Sequence, residues 1–183
     1  MKLVITELES PEKGSQSICL NMIVKNEAHI IGKTLKNICE NVPITYWVIS
    51  DTGSTDNTKE IIQKFFDERN IKGEMFDDKW EDFGHNRSVA LKHAYNKTDY
   101  LLIFDADDFF HGTFKLPPKL TNDMYSFKFG DPGNNFLYNR PLLINNRKRF
   151  EFKGVLHEYL SPMEGADSPV LIDGKYGVQS GKE

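Results

Sequence analysis

Apolar positions along this chain keep two different rhythms. Ile18 to Val24 is a short, almost wholly apolar run of the kind seen in a strand buried on both faces. Ile31, Leu35 and Ile38 then recur at i, i+4 and i+7, one stripe of an amphipathic helix that stops near Pro43. Tyr46 to Ile49 repeats the strand pattern. It leads through the turn cluster Asp51-Thr52-Gly53-Ser54-Thr55-Asp56 into a helix with Ile61, Ile62, Phe65 and Phe66 facing inward, which Asn57 and Glu60 are placed to cap. A short strand at Glu74 to Phe76 precedes a helix from Asn86 to Asn96, with Ala90, Leu91, Ala94 and Tyr95 on its apolar side, and Tyr100 to Phe104 is a fourth strand. Strands alternating with helices in this way predict crossover connections and a largely parallel sheet covered on both faces.

Beyond Asp108 the period changes to two. Tyr125, Phe127 and Phe129 alternate with Met124, Ser126 and Lys128, the mark of a half-exposed strand. The turn sequence Asp131-Pro132-Gly133-Asn134-Asn135 predicts that the next strand, Phe136 to Ile144, returns antiparallel. The expected class is therefore α/β, a mostly parallel central sheet with flanking helices followed by a β-rich half. Residues 1–16 read as a loose polar arm and 17–183 as a single domain with halves 17–108 and 109–183. Gly177 to Glu183 reads as a polar tail without a closing helix, which suits a truncated chain or the front of a longer protein.

Composition narrows the function classes. At 183 residues the chain is long enough to bury a core without a metal or disulfides. With 23 Lys and Arg against 27 Asp and Glu, it has no basic excess for a nucleic acid or an anionic membrane. Cys19 and Cys39 form no disulfide framework and no C-x-x-C pattern, and no run resembles a signal sequence or a membrane span, so a cytoplasmic protein is expected. His29, His85, His93 and His111 lack zinc spacing, and the nucleophile-elbow, P-loop and dinucleotide-fold glycine motifs are missing.

In a wound parallel sheet, ligands bind outside the carboxyl ends of the strands. Here those ends run into Lys25-Asn26-Glu27, Asp51-Thr52-Gly53-Ser54 and Asp105-Ala106-Asp107-Asp108. Carboxylates at all three would repel one another unless a cation or hydrogen-bond donors sit between them, as a nucleotide with a divalent metal would. An Asp-x-Asp run is commonly just a solvated loop. At the exit of a buried strand, Asp105 and Asp107 instead offer two hard oxygen donors suited to Mg²⁺ or Mn²⁺, provided the extended backbone persists. The Asp51 turn suits a base or ribose better than phosphate, and Arg87, at the start of the third helix, has the fork for a diphosphate. Two features stay open: Trp80 and Phe83 are core anchors or a sugar-stacking platform, and His157-Glu158 is a structural pair or a functional one.

Taken together, Ile23-Val24-Lys25-Asn26-Glu27, Ser50 to Asp56, Arg87 and Asp105 to Asp108 resemble, in order and spacing, the family 2 glycosyltransferases of the GT-A fold. The likeness extends to Trp80-Glu81-Asp82-Phe83-Gly84-His85-Asn86-Arg87 and to Gly154-x-x-His157-Glu158, and so covers Ser17 to Leu160. The resemblance implies an inverting transferase that moves a sugar from a nucleotide-sugar, a UDP-sugar first among them, to an acceptor hydroxyl on a glycan, protein or lipid-linked group. It further implies that Val24, Asn26, Glu27 and Asp51 surround the base and ribose, with Arg87 at the diphosphate and Ala106 alongside the donor. Asp105 and Asp107 would be the metal pair, Asp107 the direct ligand and Asp105 nearer the ribose or a metal-bound water, and Glu158 the base. On this reading residues 17–108 bind the donor and 109–183 face the acceptor. Two departures stand out: Ser88 sits where the family often has asparagine, and the chain stops soon after Glu158. The alternatives are a nucleotide- or glycan-binding module without turnover, and an Asp-x-Asp phosphotransferase. The latter would need Thr or Val where Phe109 stands.

Overall fold

The computed structural model of the chain describes residues 15–130, 137–154, 158–174 and 177–180. Its first half is built from β1 (Ile18–Val24), α1 (Ile31–Asn41), β2 (Tyr46–Asp51), α2 (Thr58–Asp67), β3 (Gly73–Asp77), α3 (Phe83–Ala94) and β4 (Tyr100–Ile103). β1 lies between β2 and β4, with β3 outside β2, and every pairing among these four is parallel. Alternation along β1 explains the helices on both faces. Ile18, Leu20, Met22 and Val24 point into a cluster with Ile31, Leu35 and Ile38 of α1 and Ile62 and Phe66 of α2, none of them more than 3% exposed. Cys19 points the other way, with Val48, Leu101 and Ile103, against Leu91 and Ala94 of α3. Phe66 also stacks on Trp47 with ring centres 4.8 Å apart, and its loss to alanine would cost about 3–5 kcal/mol.

Asn21 is the polar exception in β1. Fully buried, it donates through Nδ2 to the carbonyls of Val48 and Ala90, both at 3.0 Å, and so ties α3 to the β1–β2 pair. Local details depart from the sequence expectations at the helix ends. Asp56 rather than the Asn57 side chain secures the start of α2, because its Oδ1 accepts from both the N–H and the hydroxyl of Thr58. α3 begins at Phe83, ahead of the expected Asn86, since Asp82 accepts from the His85 N–H at 2.7 Å and caps an extra turn. Tyr95 lies just past the helix in the turn that ends it and is 40% exposed, not packed on the apolar side.

The second half supplies β5 (Asp108–Phe110), β6 (Met124–Phe129), β7 (Tyr138–Asn145), β8 (Phe150–Lys153), β9 (Tyr159–Pro162), β10 (Val170–Leu171) and β11 (Val178–Ser180). β7 returns antiparallel to β6, as expected, and is antiparallel to β4 as well, which joins both halves in one sheet of order β3-β2-β1-β4-β7-β6-β11-β5. The turn at 131–135 and the arm at 1–14 lie outside the described residues. Gln16 is already fixed, exchanging hydrogen bonds with the main chain of Leu120. β6 was expected to be half-exposed but is buried at every position except Lys128, because Met124 meets the α3-side cluster while Tyr125 and Phe127 fill the other. Within the segment expected as a polar tail, Val178–Ser180 form β11, a strand between β6 and β5 with Val178 buried, and residues 181–183 lie outside the described residues. A Cβ on Gly177 would stand 2.6 Å from the Lys128 carbonyl, so this close approach needs glycine. β8 and β9 pair separately as a hairpin over α3. Among the described residues no helix is long and apolar enough to cross a membrane.

Candidate active site

The loops leaving β1 and β2 are laced together by their own polar groups. Asn26, held at φ 55°, receives the Thr55 N–H on its side-chain oxygen at 2.7 Å and donates its own N–H to Ser54 Oγ at 2.9 Å. The Glu27 N–H donates to Thr58 Oγ1, and the Ala28 N–H to Asp56. Asp51 Oδ1 accepts from the N–H groups of Gly53 and Ser54 at 2.9 and 2.8 Å, a turn that places Gly53 at φ 106°. The other Asp51 oxygen is buried without a hydrogen-bond partner among the described residues, an arrangement that costs free energy until a donor reaches it.

Between these loops, the end of β4 and the start of α3 lies a cavity of about 390 Å³. Val24, Glu27, Arg87, Asp105, Ala106 and Asp107, each picked out by sequence, line it. Asn26 and Asp51 do not; their side chains hold the loops that shape it. Lys25 and Thr52 line it as well, which gives the cavity a second cationic side chain beside Arg87. Trp80 and Phe83 also form its wall, edge to face with centres 4.9 Å apart and Phe83 51% exposed, so they are not core anchors. Buried Asn86 holds that aromatic loop by donating to the Lys79 carbonyl and accepting from the Glu81 N–H.

The backbone does not stay extended after β4. The Asp108 N–H donates back to the Asp105 carbonyl, and the turn buries Asp108 while leaving Asp107 on the cavity wall. Arg87 stands one turn into α3, and its Nη1 lies 2.6 Å from Asp105 Oδ1. Its Nε lies 3.4 Å from Glu158 Oε1, an ion pair without hydrogen-bond geometry. Arg140 of β7 takes the other oxygen of Asp105 at 3.2 Å and approaches Asp108 at 3.7 Å. Burial works to raise the Asp105 carboxyl, but the two arginines outweigh it and hold that group below the usual carboxylate range. Asp108, desolvated by burial and facing the Asp105 charge with only partial relief from Arg140, is pushed up to about 7.

Sequence reasoning missed Arg140. Its signal is visible only once β7 is known to lie beside β4, which puts a strand arginine across from the Asp105 turn. Glu158 lines a second cavity, of about 500 Å³, on the far side of Arg87 and Asp105. His157 lies outside the described residues. Ser88, the departure from asparagine, both donates to and accepts from the Phe152 main chain, at 3.4 and 2.9 Å, and so fastens β8 to α3.

The family model described as glycosyl transferase family 2 matches residues 19–121, a span that runs from β1 to β5. The chain belongs to that family. Among solved structures, this family 2 chain is similar to the mannosyltransferase PcManGT from Pyrobaculum calidifontis, in complex with GDP-Man and Mn²⁺, at 23% identity and TM-score 0.45 over 52% of this chain and 28% of that one. It is similar to residues 1–349 of TarS from S. aureus, in complex with UDP, at 24% identity and TM-score 0.43 over 52% and 28%. Glucosyl-3-phosphoglycerate synthase from Mycobacterium tuberculosis, with Mn²⁺, UDP and glucosyl-3-phosphoglycerate, gives 18% identity and TM-score 0.38 over 51% and 34%. The match thus spans about a third or less of these proteins, and at these values it carries no argument about ligand or activity. No curated protein matches the chain.

A divalent metal is implied by the family's Asp-x-Asp pattern. Among the described residues no three His, Cys, Asp or Glu side chains gather into a ready cage. Both Asp105 oxygens are engaged by arginines, and Asp105 and Asp107 both line the cavity. One or two carboxylates completed by water and substrate phosphates are a normal donor set for Mg²⁺, so the residues fit a metal that arrives with a nucleotide.

Proposed function

We propose that this domain is a glycosyltransferase that binds a nucleotide-sugar in the 390 Å³ cavity and transfers the sugar, with inversion, to an acceptor hydroxyl. The observation that carries the reading is Arg87, inside that cavity and within reach of both Asp105 and Glu158. It joins the place where a diphosphate would leave to the carboxylate that would take the acceptor's proton. Val24 and Glu27 would flank the base and ribose, on loops shaped by Asn26 and Asp51, and the unpartnered Asp51 oxygen would accept from a ribose or base donor. Trp80 and Phe83 would close the outer wall.

Asp107, with Asp105 behind it, would hold Mg²⁺ or Mn²⁺, which when bound neutralises charge on the leaving diphosphate. Arg87 would turn part of its fork from Asp105 to the diphosphate and stabilise the same charge as it develops. Glu158 would accept the proton of the attacking hydroxyl from the face opposite the leaving group, and a single displacement of this kind inverts the anomeric centre. The test is incubation with UDP-, GDP-, CMP- and dTDP-sugars, with Mn²⁺ or with EDTA, while following released nucleotide. Release with at least one donor is expected. Binding without release would support the binding-module alternative, and neither binding nor release would overturn the assignment.

A further inference from the structure

β7 is antiparallel to β4, with Tyr100 opposite Asn145 and Leu102 opposite Leu143. β4 ends at Ile103 while β7 reaches back to Tyr138, and the same register carried three residues beyond Leu102 sets Arg140 across from Asp105. The sheet thus aims an arginine at that turn. Its guanidinium is steadied from behind, with its carbon 5.5 Å from the centre of the Phe129 ring, which in turn packs on Tyr138. Arg140 lines the second cavity and not the first, whereas Asp105 lines both. The carboxylate therefore stands between Arg140 and the space where a diphosphate would bind.

We propose that Arg140 is a positioning residue for donor binding: by keeping hold of Asp105, it allows Arg87 to leave that carboxylate for the diphosphate. The inference rests on the transferase reading above. In the free protein Asp105 is shared, Oδ1 with Arg87 Nη1 at 2.6 Å and Oδ2 with Arg140 Nη2 at 3.2 Å. The Asp105 side chain is only 20% exposed, and a carboxylate so enclosed is costly to leave without a counter-charge. Were Arg87 its one cation, turning to a ligand would strand that charge. With Arg140 on the other oxygen the carboxylate stays paired, and repulsion between two guanidinium groups on one carboxylate loosens Arg87 further. The two arginines differ in freedom. Arg87 is on the wall of the first cavity, and its Nε has no hydrogen-bond partner among the described residues. Arg140 is tied in addition to Asp108, at 3.7 Å.

Other roles for Arg140 fit less well. To meet a diphosphate itself, the guanidinium would have to pass Asp105 and abandon Asp108, a buried carboxylate with which it makes the one ion pair found among the described residues. A role in packing alone would not depend on the charge of its neighbour. The three possibilities make different demands on Asp105. Direct attraction to phosphate persists when that carboxylate is replaced, and so does a packing contribution, whereas an effect that travels through the carboxylate vanishes with it.

The experiment is a double-mutant cycle in the full chain, read as affinity for UDP, GDP and dTDP at fixed Mn²⁺ and again in EDTA. Arg140→Gln, which keeps a donor and most of the length but not the charge, is measured alone and combined with Asp105→Asn. Comparison within each background cancels what Asp105→Asn does to a metal. Alone, Arg140→Gln should weaken nucleotide binding about fivefold or more; combined with Asp105→Asn it should change binding less than about twofold. Arg140→Lys, which restores the charge, should recover most of the loss. An equal loss in both backgrounds would overturn the proposal, as would no loss in either. Should Arg140→Gln fail to fold, side-chain NMR of the wild type decides: the Arg140 guanidinium signals, assigned by their absence in Arg140→Lys, should shift when UDP, GDP or dTDP binds, and signals that stay fixed would overturn it. A wild type that binds none of these nucleotides would overturn the transferase reading together with this one, whereas binding without coupling overturns this one alone.

Discussion

Gly84 and Gly154 touch: a Cβ built on Gly84 would lie 2.8 Å from the Gly154 carbonyl oxygen. The first turn of α3 and Gly154, at the end of β8, come this close because neither residue carries a side chain, and Gly154 takes φ 103°. The same Cβ would lie 3.9 Å from Glu158 Cβ, on the side where Glu158 meets Arg87.

Gly84→Ala should destabilise the fold despite the gain in helix propensity. Alanine is worth about 1 kcal/mol over glycine within a helix, but the opposing atom is main chain and cannot swing aside, and overpacking of this kind costs about 1–3 kcal/mol. Urea denaturation should show a net loss, together with reduced transfer. Gly165→Ala, with nothing within 4 Å of the added methyl, is the control and should be nearly neutral.

Asp107→Asn and Arg87→Ala separate metal from protein charge. In the first, nucleotide diphosphate affinity should no longer respond to EDTA. In the second, affinity should fall about tenfold or more, the scale of a charge-assisted hydrogen bond, while the response to metal remains. Calorimetric titration with and without EDTA reads both. An Asp107→Asn protein that keeps its metal response would remove that residue from the metal site.

Glu158→Gln keeps the shape of the side chain but cannot take a proton. Donor affinity should survive while transfer falls about 10²- to 10⁴-fold. Unchanged transfer with a normal melting temperature would exclude Glu158 as the base. Asp108 is a poor replacement, since it is buried and lines neither cavity.

Asp99 predicts an acid limb in stability. Its carboxylate accepts from the N–H and hydroxyl of Ser17 and pairs with Arg147, contacts that hold it below its ordinary value of 3.8. A carboxyl depressed in the folded state stabilises above its unfolded pKa, and the contribution is lost as pH falls through the folded one. Asp99→Asn should therefore be less stable than wild type at pH 7, with the gap narrowing below about pH 4. Urea midpoints across pH 3 to 7 would show it; a gap that stays constant would contradict the linkage.

The parallel half of the fold was legible because each of its strands is an apolar run and each helix carries one stripe, as Ile31, Leu35 and Ile38 do. What escaped was short or assembled at long range. β5, β10 and β11 have two or three residues each, too few for any period to register. Residues that line the first cavity were readable because strand ends converge in a wound sheet. Arg140 was not, because one arginine in a half-polar strand carries no sign of its neighbour until β7 is set against β4. Asn26 and Asp51 show the reverse limit: their chemistry suits a ligand, and the fold turns most of it to fastening loops.

The pairing of Arg87 with Asp105 has a consequence for selectivity. In the free protein the arginine that an incoming diphosphate would seek is already occupied by a carboxylate of the same chain, held at a high effective concentration by its own backbone. A lone phosphate or sulfate must displace this resident competitor with a single contact and gains little by doing so. A nucleotide that also reaches Val24, Glu27 and the aromatic wall can meet the cost of displacement from several places at once. If a diphosphate binds at Arg87, the cleft would discriminate by how much of a ligand engages it, with the threshold set by a residue that belongs to the protein.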